Sequence, residues 1–415
     1  MGSTTGTAWK MAGIASVLQN WGVVTSIVAY GAALATIEHD LATTRAMASI
    51  ATSLQLLALG LMSPVVGILL QRVPLRVLLV AGVALGAAGS LVVAFAPHIY
   101  WVLAAYALLI GPSSCILGPV TVATLVSRWF DKDRGTALSL ANVPIFLLVV
   151  PPGAAWLIEA GGRPLLFGVL AAGYLLLLPL IAMVRERPDA VAALAVAADD
   201  VVPMPQPSAI LTNGQLLARW RFWVLNLGVG VLTGSGVAYT THGYQIIADK
   251  GIDLTLAASV LSAYGLGTVL GVFVFGWLID RIGALPSLVL GGGILAGLWI
   301  AFGLVLQLQP LYLISGLFGA TMGSVVAMHG AAITELFGPA NVSRAMGLAY
   351  FLKIPFLFGF PYLLGKLHDM QHDYVMSLVI TAVLVAVAAA MFTILALASR
   401  GGKDSDSHAL GATLR

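Results

Sequence analysis

The stretch at residues 346–364, MGLAYFLKIPFLFGFPYLL, decides the fold class of this 415-residue chain. All but one of its residues are apolar, aromatic, glycine or proline. A helix of this length crosses a hydrocarbon core of about 30 Å. The exception, Lys353, lies about 15 Å from the predicted helix start at Ser343, near the middle of the membrane. A lysine at that depth costs about 3 kcal/mol and normally faces a cavity or a partner. We therefore predict a functional cation; the alternative is a structural lysine paired with helix carbonyls.

Similar apolar runs fill the chain, which is 60% hydrophobic and only 9% charged. Runs of this length, bounded by charged or turn residues, predict an all-α integral membrane protein. Its twelve transmembrane helices would form two pseudo-symmetric six-helix bundles. The predicted helices are 12–37, 46–70, 75–96, 99–127, 134–159, 163–185, 221–248, 254–280, 285–307, 310–337, 343–367 and 373–399.

A single long polar stretch divides the two sets of six helices. It predicts an N-terminal bundle at 1–186, a cytoplasmic linker at 187–219 and a C-terminal bundle with a short tail at 220–415. The apolar segment at 190–198 inside the linker is too short to cross a membrane.

Lysine and arginine are distributed unevenly between alternate loops. Of the 20 basic residues, fifteen lie on one predicted side of the membrane and four on the other. Lys353, inside a helix, is the remaining one. Because basic loops stay in the cytoplasm, we expect both termini there. The predicted location is a plasma membrane or a bacterial inner membrane, crossed many times.

The two halves repeat a short pattern. GILLQR at 67–72 recurs as GWLIDR at 276–281, and the region 128–141 recurs at 335–349 with nearly the same offset. Internal repeats of this kind are typical of secondary transporters.

The octapeptide GWLIDRIG at 276–283 resembles the loop motif of the major facilitator superfamily, Gly-x-x-x-Asp-Arg-x-Gly. The resemblance implies a twelve-helix transporter whose charged loops tie helix ends together in one conformation and release them in another. In the first half Gln71 replaces the aspartate, so the ionic contact there should be weaker. The implied gating residues are Gly276, Asp280, Arg281, Arg72 and Arg134.

Three further stretches resemble the monocarboxylate transporter and oxalate/formate antiporter branch: residues 30–49, 128–141 and 222–252. In that branch a lysine of the eleventh helix is associated with the substrate carboxylate, and Lys353 falls at the matching place. The antiporter's arginine in helix eight and the animal transporters' lysine in helix one have no counterpart here. One cation instead of two argues against a dicarboxylate substrate.

The remaining candidates for substrate binding are polar residues in other predicted spans. His329 is either a core histidine or a cavity-lining proton carrier, and His242 either lines the outward mouth or lies at the membrane interface. Tyr350 shares a helical face with Lys353. Asn20 and Asn142 could bond a substrate or join helices.

Prolines occur in the equivalent fifth and eleventh helices, at 144, 151, 152, 355 and 361. Breaks at corresponding places in two repeats predict moving helices that line the pathway.

These observations predict a secondary active transporter of small organic anions, chiefly monocarboxylates such as lactate, pyruvate or formate, working by alternating access. A bare ammonium should hinder reorientation of the empty carrier, which favours antiport; proton symport follows if His329 or Lys353 changes protonation. The alternatives are transport of bulkier aromatic or amphipathic acids, and a non-transporting membrane sensor on the same scaffold. We expect no enzyme activity, cofactor, metal or nucleic-acid partner. The expected partners are the substrate, protons and the lipid bilayer, with the monomer as the functional unit.

Overall fold

The computed structural model describes residues 2–130, 137, 141–185, 211–338 and 341–413, and within these ranges it contains helices and turns but no strand. The first half comprises α1 (Gly2–Gln19, a π-helical turn at Asn20–Thr25, and Ser26–Asp40), α2 (Arg45–Arg72), α3 (Leu75–Phe95) and α4 (Ile99–Ala105, a π-helical turn at Tyr106–Ile110, Gly111–Leu117 and Pro119–Trp129). The next two helices, α5 and α6, share the run Val150–Leu175, with a 3-10 turn at Ile145–Leu148 before it and Leu178–Ala182 after it. The second half comprises α7 (Trp220–Ala248), α8 (Leu254–Ile282), α9 (Ala284–Leu304), α10 (Leu308–Phe337), α11 (Val342–Gln371) and α12 (Val375–Thr413).

A tight turn separates α5 from α6 inside their shared helical run. Gly161 and Gly162 leave the helical conformation, and Gly162 has φ of 64°. Residues with a side chain rarely adopt that backbone conformation, so glycine suits the turn. Within the described residues eleven helices are long and apolar enough to span a membrane, and one of these, Val150–Ala182, joins the end of α5 to α6. The number differs from twelve because the end of α5 and α6 form one helical run across this turn and count as a single span. The predicted all-helical membrane fold is confirmed.

Only the end of the predicted linker is described. A short helix, Asn213–Leu217, begins with a capping box made by Thr212 and Gln215. The backbone N–H of Leu211 donates to Asn341 Oδ1 at the start of α11 over 2.8 Å. The capping box stabilises the short helix, and the Leu211–Asn341 bond attaches the end of the linker to the second half.

The side of the helical bundle at which α1 begins is here called the terminal face; the other side is the opposite face. At the terminal face, Arg221 of α7 donates to the Ala398 carbonyl of α12. In the second half α8 packs on α10, α9 on α12 and α7 on α11, while α3 packs on α6 in the first. The two halves meet through α2 on α11, α5 on α8 and α1 on α7.

The halves are in close contact near the opposite face. A Cβ atom at Gly31 of α1 would lie 2.5 Å from the Thr240 carbonyl oxygen of α7, so only glycine allows this approach. On the neighbouring side, Ser49 of α2 donates to the Pro361 carbonyl of α11 over 3.1 Å. The α2 and α11 helices are therefore in direct contact at this face.

The prolines of the two equivalent helices act differently. Around Pro144 the chain leaves the helix and re-enters it through the 3-10 turn of α5. In α11, however, Pro355 and Pro361 both lie inside a continuous helix. The break predicted in α11 is not formed. A proline inside a helix leaves the carbonyl four residues earlier without its partner, and for Pro361 this is the Leu357 carbonyl. The Ser53 hydroxyl of α2 donates to the Leu357 carbonyl over 3.4 Å and to the Phe358 carbonyl over 3.0 Å.

Candidate functional site

Lys353 lies in α11, about 16 Å along the helix axis from Val342. Its side chain is only 2% exposed. The Lys353 Nζ atom is 3.1 Å from His329 Nδ1 on α10 and 4.9 Å from the centre of the Tyr350 ring, one helical turn earlier. Among the described residues no carboxylate pairs with Lys353. The two groups that contact its ammonium, His329 and Tyr350, both belong to the second half.

A directed chain of hydrogen bonds supports that ammonium. Asn226 Nδ2 on α7 donates to the Phe222 carbonyl over 2.7 Å, and a carbonyl can only accept. Asn226 Oδ1 therefore faces His329 Nε2, at 2.9 Å, and must accept from it. With its proton on Nε2, His329 presents Nδ1 as an acceptor to Lys353. The chain Lys353, His329, Asn226 joins three helices and fixes one tautomer of His329.

Tyr350 is half exposed, whereas His329 is fully buried. The aromatic face of Tyr350 attracts the Lys353 ammonium through its negative quadrupole. The structure thus brings together three of the predicted substrate-binding residues. Their role in binding substrate stays a prediction.

His242 belongs to a different region, close to the opposite face. It is fully buried in α7. Its Nε2–H donates to the Pro361 carbonyl over 2.9 Å, so its Nδ1, 2.9 Å from the Tyr374 hydroxyl, accepts from that group. In this conformation His242 joins α7, α11 and the start of α12.

Asn20 and Asn142 support the broken segment of α5. Asn20 Nδ2 donates to the Val143 carbonyl over 2.9 Å, and Asn20 Oδ1 accepts from the Phe146 N–H over 3.0 Å. Gln19 Nε2 donates to Asn142 Oδ1 over 3.0 Å. These bonds replace helical ones that the break removes. The amide of Asn20 is thus occupied by backbone groups.

The predicted gating residues lie at the terminal face. Asp280, Arg281 and Arg72 are exposed, and the Arg281 guanidinium stacks on the Trp277 ring at 5.1 Å. A Cβ atom at Gly276 would meet nothing within 4 Å, so close packing does not require glycine there in this conformation. The fifth predicted gating residue, Arg134, lies outside the described residues.

A cluster that the sequence did not reveal joins the halves at the opposite face. It consists of Glu38, Arg45, His368, Asp369 and Tyr374, here called the opposite-face cluster. The two carboxylate oxygens of Asp369 accept the backbone N–H groups of Arg45 and Ala46, each over 3.1 Å. The Arg45 side chain donates to Glu38 over 2.7 Å and to the Tyr374 hydroxyl over 3.3 Å. Asp369 of one half therefore caps α2 of the other.

Two charged residues, Asp249 and Lys250, follow α7 directly. Burial raises the pKa of the Asp249 carboxyl, and the nearby Arg45 opposes that shift. Burial lowers the pKa of Lys250, whose Nζ donates to the Gly303 carbonyl over 3.2 Å. Asp249 Oδ2 lies 3.8 Å from His368 Nε2. Asp249 therefore extends the opposite-face cluster, whereas Lys250 bonds within the second half.

Sequence reasoning missed Asn226 and the opposite-face cluster. Asn226 stands as a polar residue within the apolar run FWVLNLGVG of the seventh helix, and that contrast could have marked it. The cluster had no such signal, because Arg45 and Asp369 are separated by 324 positions and each resembles an ordinary loop charge.

A family model described as Major Facilitator Superfamily matches residues 16–247 and 234–412. The chain belongs to the major facilitator superfamily. The predicted resemblance is therefore confirmed, and the two successive matches agree with two repeated halves.

Known proteins are similar in sequence to most of this chain. An uncharacterized MFS-type transporter, YcxA, of Bacillus subtilis (strain 168) is 24% identical over 377 residues, covering 83% of this chain and 85% of the relative. A protein named monocarboxylate transporter 13 is 28% identical over 344 residues in Rattus norvegicus and over 351 residues in Bos taurus. Each of these two alignments covers 80% of this chain and 76% of the relative. The protein is a multi-pass membrane transporter.

Proposed function

We propose that this transporter moves small organic anions, above all monocarboxylates such as lactate, pyruvate or formate, across a plasma membrane or a bacterial inner membrane by alternating access. The observation that carries the proposal is the buried ammonium of Lys353, whose described neighbours include no carboxylate. Two opposite unit charges about 4 Å apart attract by about 4 kcal/mol at an effective dielectric constant of about 20. A substrate carboxylate would supply the missing counter-charge.

Other observations support the same class of substrate. The relatives named monocarboxylate transporter 13 align with 80% of the chain. A single buried cation matches one carboxylate better than two. Coupling takes one of two forms, exchange of anions or symport with a proton, and transport measurements separate them.

The test is counterflow in proteoliposomes with a panel of labelled mono- and dicarboxylates. Saturable uptake of a monocarboxylate should fall more than about 100-fold in Lys353→Ala, because a buried charge pair loses one partner. Lys366→Ala is the matched control, since Lys366 is an exposed lysine on the same helix. Its counterflow should equal that of the native protein.

Other outcomes would redirect the assignment. Undiminished flux in Lys353→Ala would make Lys353 a structural residue and remove the anion site from α11. Preference for benzoate-like acids over short-chain acids would favour the bulkier substrates. Saturable binding without any flux would favour a membrane sensor.

A further inference from the structure

The Lys353 ammonium has partners within the protein itself. His329 Nδ1 accepts from it at 3.1 Å, and the Tyr350 ring lies 4.9 Å away. Asn226 holds the His329 tautomer that makes this acceptor available. The lysine therefore has a resting position supplied by the protein itself.

That resting position bears on how the carrier returns after releasing its substrate. An uncompensated ammonium in a low-dielectric interior raises the energy of every empty conformation that excludes water. A carrier with this problem exchanges one anion for another, because only the loaded form can reorient. A neutral acceptor and an aromatic face lower the cost without competing permanently with the substrate, since neither carries a negative charge.

On the basis of the anion transport proposed above, we propose that His329 and Tyr350 hold the Lys353 ammonium when the site is empty, with Asn226 as a positioning residue for His329. The substrate carboxylate then replaces His329 as the main partner of Lys353. The empty carrier can change conformation, and the protein performs net transport rather than obligatory exchange.

The experiment measures efflux of a labelled monocarboxylate from proteoliposomes, into buffer with none of that substrate and into buffer with a saturating unlabelled amount. In the native protein the two rates should agree within about threefold, because reorientation of the empty carrier is not a barrier. In His329→Leu the ratio of efflux to exchange should fall about tenfold or more, since leucine offers no acceptor. His329→Gln, which restores an acceptor oxygen, should recover much of the ratio.

A second series avoids relying on one buried position. Tyr350→Phe keeps an aromatic face and should keep the native ratio, whereas Tyr350→Leu should lower it by about threefold. Asn226→Leu should lower the ratio as well, because it releases the His329 tautomer. Ser324→Ala on α10 is the control, since the Ser324 hydroxyl donates only to carbonyls of its own helix.

Two results would overturn this proposal while leaving anion transport intact. One is a native efflux more than about tenfold slower than exchange, which defines an obligatory exchanger. The other is an unchanged ratio in both His329→Leu and Tyr350→Leu. By contrast, undiminished counterflow in Lys353→Ala would overturn the proposed anion site itself.

Discussion

His242 and His329 have both ring nitrogens bonded, but their Nδ1 atoms face different partners. In each ring Nε2 meets an oxygen that can only accept, so each carries its proton there. Nδ1 of His329 then faces the Lys353 ammonium, while Nδ1 of His242 faces the Tyr374 hydroxyl. The two histidines therefore have the same tautomer, and they differ only in the group that their Nδ1 atom contacts.

Replacement of His242 tests its structural contacts. His242→Leu should destabilise the protein by about 1–3 kcal/mol, because the buried Tyr374 hydroxyl loses its acceptor. Thermal unfolding of the detergent-solubilised protein measures the effect. His39→Ala is the control, since the His39 side chain is 93% exposed. Equal unfolding temperatures for the two variants would contradict the assigned contacts.

At the scale of elements, α5 and α11 show two ways of accommodating proline. The α5 segment leaves the helix, and the side chain of Asn20 bonds the backbone groups at Val143 and Phe146. The α11 helix stays continuous, and Ser53 of α2 donates to the carbonyl that Pro361 frees. Both solutions use a polar side chain from another helix, as backbone groups in a membrane require.

The α5 segment should depend on Asn20. Asn20→Leu, nearly equal in size, should destabilise the protein by about 2–3 kcal/mol because one buried and one partly buried backbone group lose their partners. Urea or thermal unfolding in detergent would measure this change. Asn213→Leu, at an exposed position before α7, should shift stability by less than about 0.5 kcal/mol. A shift of that small size in Asn20→Leu would show that α5 is held by other contacts.

At the scale of the whole molecule, the opposite-face cluster joins two halves that must separate if the pathway is to open there. Arg45 and Asp369 belong to different halves, and Asp369 accepts the first two N–H groups of α2. These bonds favour the conformation seen here over one that opens this face.

Removing the Asp369 charge should shift that equilibrium. In Asp369→Asn, a cysteine introduced by Ser53→Cys should react about three- to tenfold faster with a maleimide, as the α2–α11 contact opens more often. The background would carry Cys115→Ala, since Cys115 is the single native cysteine. Asp373→Asn is the control, because Asp373 accepts only from the Val375 N–H of its own segment. Unchanged labelling in Asp369→Asn would mean that other contacts hold this face closed.

The sequence by itself determined the helical membrane fold, the two repeated halves, the superfamily and the unusual depth of Lys353. Hydrophobic run length and charge placement act along the chain, so they can be read without coordinates. The tertiary structure decided which polar groups meet. It paired Lys353 with His329 and His329 with Asn226, assigned Asn20 to the break in α5, and joined Arg45 to Asp369. Hydrogen bonds depend on distances of about 3 Å between residues far apart in the chain, and helix packing alone sets those distances.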